Sequence, residues 1–349
     1  MKLSNGYRMR LLLVVFVAAI VLGGGEHGKA EIIMTEPTSV GPVINDATDV
    51  QECDFSHDGL ELYYASERPG GYGRWDIWVA KRETLDSAWQ EPVNLGPAVN
   101  SSAGEVEPSI SPDGLELYIR LWDDWNLRVC TRLSKDDPWS SPVKVGPPVG
   151  SYDVFEPDIS ADGLSLYFGS FDRPGGYGDG DIWVATRATT HDEWGEPVNL
   201  GPNVNGPGGD YGPSISSDGL ALAFYRFGPR RLLITTRKSI DDDWGPAVDL
   251  VGMGMGPAFS PDASTIYFDS GGTSDILQVK FIPLVDFNGD EIVDAADMCI
   301  MVDNWHTDNT LCDIAPLPLG DGFVDVKDLI VLAEHLFEEF PPVEVEPAE

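Results

Sequence analysis

The chain has 349 residues, 42% of them hydrophobic, with 58 acidic against 22 basic residues and a formal charge of -36. So acidic a surface repels nucleic acid and anionic membrane and favours cations and basic partners, while the length exceeds a usual single core and points to two domains. Four cysteines in a chain of this size do not form a disulfide scaffold.

At the N-terminus, Lys2, Arg8 and Arg10 precede an apolar run from Leu11 to Leu22. The run is too short for an ordinary membrane span and fits a secretory signal over residues 1–30. The expectation is a bacterial protein secreted or held at the cell surface, with no stable membrane insertion after cleavage.

From residue 52 onward one phrase recurs: ECDFSHDGLELYYAS, EPSISPDGLELYIR, EPDISADGLSLYFGS, GPSISSDGLALAFYR and GPAFSPDASTIYFDS. The turn aspartates Asp58, Asp113, Asp162, Asp218 and Asp262 are spaced by 55, 49, 56 and 44 residues. Periods of this size, with several short strands in each, mark propeller blades. In the fullest unit EPDIS is a first strand, Ala161-Asp162-Gly163 a tight turn, LSLYFGS a second strand, IWVATR a third and WGEPVNLG an edge strand. The fifth unit stops after its third strand. EIIMTEPTSVGPVIN, ahead of the first unit, resembles the closing segment QEPVNLGPAVN and is expected to complete that last blade. The reading is an all-β, five-bladed β-propeller over residues 31–282, closed by an N-terminal strand that removes the free sheet edges.

Most of the recurring residues have structural duties. The turn aspartates, and Asp76, Asp181 and Asp275 at the starts of third strands, can bond to nearby backbone. Trp89, Trp139, Trp194 and Trp244 are expected to wedge between blades. Cys53 and Cys130 fall in strand-like runs and read as buried thiols. Glu52, Glu107 and Glu156 head the innermost strands of three consecutive blades, where the other two blades carry Gly212 and Gly256. Three carboxylates at one channel mouth suit a cation, a sugar or acid–base catalysis; the structural alternative is that each tethers a strand start. Tyr72, Trp75, Tyr177, Trp122 and Trp125 are candidates for a carbohydrate-binding rim.

Residues 32–282 resemble the bacterial β-propeller repeats of the TolB type through the P-x-I-S-x-D-G-L-x-L-Y-F and D-I-W-V-A motifs. The resemblance implies an exported binding or interaction scaffold.

Near Pro283 the composition changes to VDFNGDEIVDAADMCIMVDNW. Asp286, Asn288, Asp290, Asp294 and Asp297 stand at loop positions 1, 3, 5, 9 and 12, and Ile292 can offer its carbonyl at position 7, an oxygen set suited to Ca2+. In a second copy Asp321, Asp325 and Asp328 fill positions 5, 9 and 12. Phe323 can offer a carbonyl there, and Asp313 serves as first ligand if the intervening stretch loops out. Residues 283–340 resemble a dockerin type I domain, a small α-helical, EF-hand-like module; the extended second loop departs from its pattern. That resemblance implies a cohesin-like protein partner in polysaccharide utilisation, with a calcium-stabilised cap or spacer as the plainer reading. Cys299 and Cys312 are a candidate disulfide, and residues 341–349 an acidic tail. Two functions remain in view: a non-catalytic binding or assembly protein with glycan as a further ligand, or a glycan-processing enzyme using Glu52, Glu107 and Glu156.

Overall fold

The computed structural model describes residues 20–21, 31–46, 49–228, 230–252, 254–271, 275–282, 285–287, 292–309, 312–315 and 323–337. Asn288, Asp290 and Asp321, the acidic tail and all of the leader except Ile20–Val21 lie outside them.

Five antiparallel sheets make an all-β, five-bladed propeller, four of them running outward from the axis in chain order. The inner strands are Val50–Phe55, Glu105–Ile110, Phe155–Ile159, Asp210–Ile215 and Met255–Phe259. Short outer strands such as Val93–Asn94 and Val198–Asn199 finish the first and third blades, with one valine exposed on each. In the fifth sheet Ile276–Ile282 pairs with two N-terminal segments, Ser39 opposite Leu277 and Met34 opposite Phe281.

Because a single blade cannot bury both faces, stability depends on what fills the wedge between neighbours. A two-residue device recurs there. Arg82, Arg132, Arg187 and Arg237 each lie 4.2–4.5 Å above the ring of the tryptophan seven positions on, Trp89, Trp139, Trp194 and Trp244. Each Nε donates to the turn glycine of its own blade, Gly59, Gly114, Gly163 or Gly219, at 2.7–2.8 Å. Each indole packs beside a tyrosine from the second strand of the preceding blade. Tyr63, Tyr118, Tyr167 and Tyr267 fill that position, and Trp194 Nε1 donates to the Tyr118 hydroxyl at 3.2 Å. The fifth blade has no such arginine or tryptophan. Opposite it the fourth blade carries Ala223 where the others have tyrosine, and Met34 and Phe281 share its core.

The turn aspartates behave as their sequence implied: Asp58, Asp113, Asp162, Asp218 and Asp262 each accept from a turn amide and from the serine two residues before.

After the propeller, helices Ala295–Asp303 and Val326–Glu334 surround a separate cluster including Val285, Val293, Met301, Cys312, Val324 and Leu332. Each starts with a capping box, Asp294 with Asp297 and Asp325 with Asp328. Cys299 is exposed while Cys312 lies in this core, both as free thiols in place of the expected disulfide. Among the described residues no helix is long and apolar enough to cross a membrane.

Removing the indole in Trp194→Ala should cost about 3–5 kcal/mol. Tyr118→Phe, which removes only the hydrogen-bonded hydroxyl, should cost about 1 kcal/mol. Denaturant unfolding of the two variants checks this; equal losses would mean that the indole does not carry the wedge.

Candidate functional site

Every inner strand carries a bulge at the same place, between Gln51 and Cys53, Val106 and Ser109, Phe155 and Asp158, Tyr211 and Ser214, and Met255 and Ala258. Four of the five bulges contain a proline, which has no amide to give to the ladder. The residue at each bulge has positive φ: Glu52 at 45°, Glu107 at 57°, Glu156 at 49°, Gly212 at 56° and Gly256 at 50°. Glycine takes this conformation freely, whereas the three glutamates hold it under strain. A bulge re-aims its side chain, here toward the propeller axis.

The three predicted carboxylates are thus brought together, on a cavity of about 30 Å³ that Asp54 and Asp158 also line. They are linked in series. The Glu107 amide donates to Glu52 Oε2 at 3.0 Å, and the Glu156 amide donates to Glu107 Oε2 at 2.7 Å. Arg120 makes a buried ion pair with Glu107 through Nε and Nη2. Tyr225 donates its hydroxyl to Glu156 Oε1 at 2.7 Å. Glu156 Oε2 is buried without a well-formed hydrogen bond, although the nearby Gly212 amide favours its charged form.

A second series lies two residues further along each strand. Asp54 accepts from the Ile110 amide at 2.8 Å, Ser109 from Ile159 at 3.2 Å, Asp158 from Ile215 at 2.6 Å and Ser214 from Phe259 at 3.0 Å. The fifth position is Ala258, which cannot accept, and the Phe55 amide turns to its own neighbour Asp54 at 2.7 Å.

Five carboxylates against one buried arginine make the channel reluctant to ionise fully. Burial pushes Glu156 up to about 8, with the Glu107 charge adding to it. Burial, then Glu107 and Glu156, raises Glu52 well above the carboxylate range. Asp54 is pushed up to about 6 by burial, and Asp158 is raised by burial and by Asp54. Burial would lower Arg120, but Glu107 more than offsets it and keeps the guanidinium charged.

Sequence reasoning missed Arg120 and Tyr225, which sit at one position of the second strand that also holds Asp269. It also missed Asp54, Ser109, Asp158 and Ser214, although a polar residue two places after each Glu or Gly was a readable pattern. Of the proposed aromatic rim, Tyr72, Tyr177, Trp122 and Trp125 are exposed. Trp75 is not: it is 2% exposed and stacked on Trp122, with ring centroids 6.0 Å apart.

In the C-terminal part, Asp297 accepts from the Phe287 amide at 2.7 Å and Asp328 from Ile314 at 2.6 Å. This places Asp286 and Asp313, both buried, in equivalent positions of the two loops. Ile292 and Phe323 are exposed. Among the described residues no three histidine, cysteine, aspartate or glutamate side chains form a group that could hold a metal ion.

No protein-family model matches the chain, and no curated protein does either. Solved structures similar to it include TolB from Acinetobacter baumannii, with TM-score 0.44 and 15% identity over 67% of this chain and 54% of that one. Others are a thermostable family-43 glycoside hydrolase, with TM-score 0.43 and 14% identity over 68% and 89% of the two chains, and an alpha-L-arabinofuranosidase from Lactobacillus brevis, with TM-score 0.46 and 13% identity over 71% and 94%. The chain spans about half of the TolB chain that it matches.

Glu156 has an ordinary value of 4.5 and a folded value of about 8. Between those values the unfolded chain releases a proton that the native residue keeps, so its contribution to stability is full below the first and is lost as pH rises through the second. Asp54, with a folded value of about 6, acts in the same sense. The melting temperature should be higher at pH 5 than at pH 8.5, by on the order of 5 °C, and Glu156→Gln should flatten the slope. Melting temperatures that rise steadily across this range would refute the assignment.

Proposed function

We propose that this is an exported, non-catalytic binding or assembly protein whose propeller is a rigid platform tethered through a calcium-dependent, dockerin-like C-terminal module. The observation that carries the reading is the use made of the channel carboxylates: Glu52 and Glu107 each accept a backbone amide from the next blade, around a cavity of only about 30 Å³. Small-molecule sites usually offer roughly 300–1,000 Å³. A cavity of this size admits a water or two and no sugar ring.

Closure of the ring by the N-terminal segment belongs to the same reading. Its support is an exact repetition of one contact: Asn45 exchanges hydrogen bonds with the Ile276 backbone at 2.8 and 3.0 Å, as Asn100 does with Ile77 and Asn205 with Ile182. In the C-terminal module Asp286, Asn288, Asp290, the Ile292 carbonyl, Asp294 and Asp297 would hold one Ca2+. Asp313, Asp321, the Phe323 carbonyl, Asp325 and Asp328 would hold a second. The matched contacts of the two loops, Phe287 to Asp297 and Ile314 to Asp328, support this by setting Asp286 and Asp313 in equivalent places. A cohesin-like domain is the partner that such a module would take, in polysaccharide utilisation.

The second reading is a glycan-processing enzyme. It is favoured by Glu156, whose raised pKa and buried, unsatisfied Oε2 would suit a general acid.

Calorimetric titration of the full chain with Ca2+ should show binding in the micromolar-to-millimolar range, lost in Asp286→Ala/Asp313→Ala. No heat of binding, or none lost in the variant, removes the calcium module. Sugar release from a polysaccharide panel that disappears in Glu156→Gln would instead establish the enzyme.

A further inference from the structure

The four arginine–tryptophan pairs differ in what meets the outer side of the guanidinium. Arg187 donates to the Glu116 carboxylate of the preceding blade at 2.8 and 3.4 Å, and Arg132 lies close enough to Glu61 to lower its pKa after burial, Lys81 and Tyr63 have acted. The same strand position is Ser165 before Arg237 and Thr265 before Arg82. Arg237 faces the Tyr167 hydroxyl, on which its charge acts after burial. Arg82 bonds to the Gly59 and Leu85 carbonyls, and no carboxylate among the described residues pairs with it.

At this seam, between the fifth and first blades, lies a groove of about 920 Å³. Arg82, Trp89 and Tyr267 line it, Thr265 stands where the first and second blades have Glu61 and Glu116, and His57 and Lys280 add two further nitrogen groups. Two of its aspartates, Asp58 and Asp262, are engaged with amides and serines of their own turns, and Asp86 is exposed.

We propose that this groove binds a small sugar acid whose carboxylate takes, against Arg82, the place that Glu116 takes against Arg187. Three features fit that class. A guanidinium matches a carboxylate in planar, two-pronged geometry. The aromatic surface of Trp89 and Tyr267 offers a face for the apolar side of a sugar ring, with polar groups such as Gln278 for its hydroxyls. The volume falls within the range of small-ligand sites rather than that of a protein partner's footprint.

The probe is a trimer of galacturonic acid, titrated into the full chain by calorimetry beside its methyl ester and an aspartate-containing tripeptide. The trimer should bind, and the ester, which lacks the charge, should bind about tenfold more weakly or worse. Thr265→Glu restores the carboxylate found in two other blades; it should abolish binding while keeping or raising the melting temperature, whereas Ser165→Glu should leave binding unchanged. The proposal is overturned if the trimer does not bind at millimolar concentration, if the ester binds equally well, if only the peptide binds, or if Thr265→Glu binds as the unaltered chain does. The ester comparison uses the unaltered protein and so decides the matter even where a variant folds poorly.

Discussion

Backbone amides at the centre of this propeller find their acceptors on the neighbouring blade, and everything else is arranged around that constraint. An inner strand has a partner on one side only, so its axial amides would be buried and unsatisfied without another source of oxygen. Glu52, Glu107, Asp54, Ser109, Asp158 and Ser214 supply it across the blade boundary. The bulges aim these side chains, and the residue at the bulge has positive φ in all five blades, whether glutamate or glycine.

The same constraint explains the channel's electrostatics. Carboxylates are strong acceptors for backbone amides, but several of them on one narrow axis repel one another and lose their water. Arg120 neutralises part of that charge through Glu107, and raised pKa values absorb the rest. A perturbed carboxylate in a cleft is a common sign of catalysis. Here burial on the narrow axis, together with neighbouring carboxylates, accounts for the raised values, and the inter-blade hydrogen bonds work against them.

Away from the axis the blades are held by arginine stacked on tryptophan and tyrosine from the blade before. This device is uniform where the chain runs on continuously and altered at the fifth blade. Ala223 replaces tyrosine beside the fifth blade, with Met34 from the N-terminal segment in the same core. At the next boundary Thr265 stands where the first two blades carry glutamate, and the groove opens beside Arg82. The repeat therefore specialises where its two ends meet.

The sequence by itself determined the number of blades, because strand periodicity and Ser-x-Asp-Gly turns are local properties that recur at a readable period. It also determined that Glu52, Glu107 and Glu156 share one position, since the repeats align without gaps there. It carried the arginine seven residues before each tryptophan in plain view, unread because an isolated arginine has no evident partner. Tertiary structure decided what those residues touch. Arg120 and Tyr225 reach the channel only through the pairing of second strand to bulged first strand, and Cys299 is turned to solvent while Cys312 enters a core. Which carboxylate meets a backbone amide, and which arginine meets none, depends on contacts between residues about fifty positions apart, and these exist only once the blades have closed around the axis.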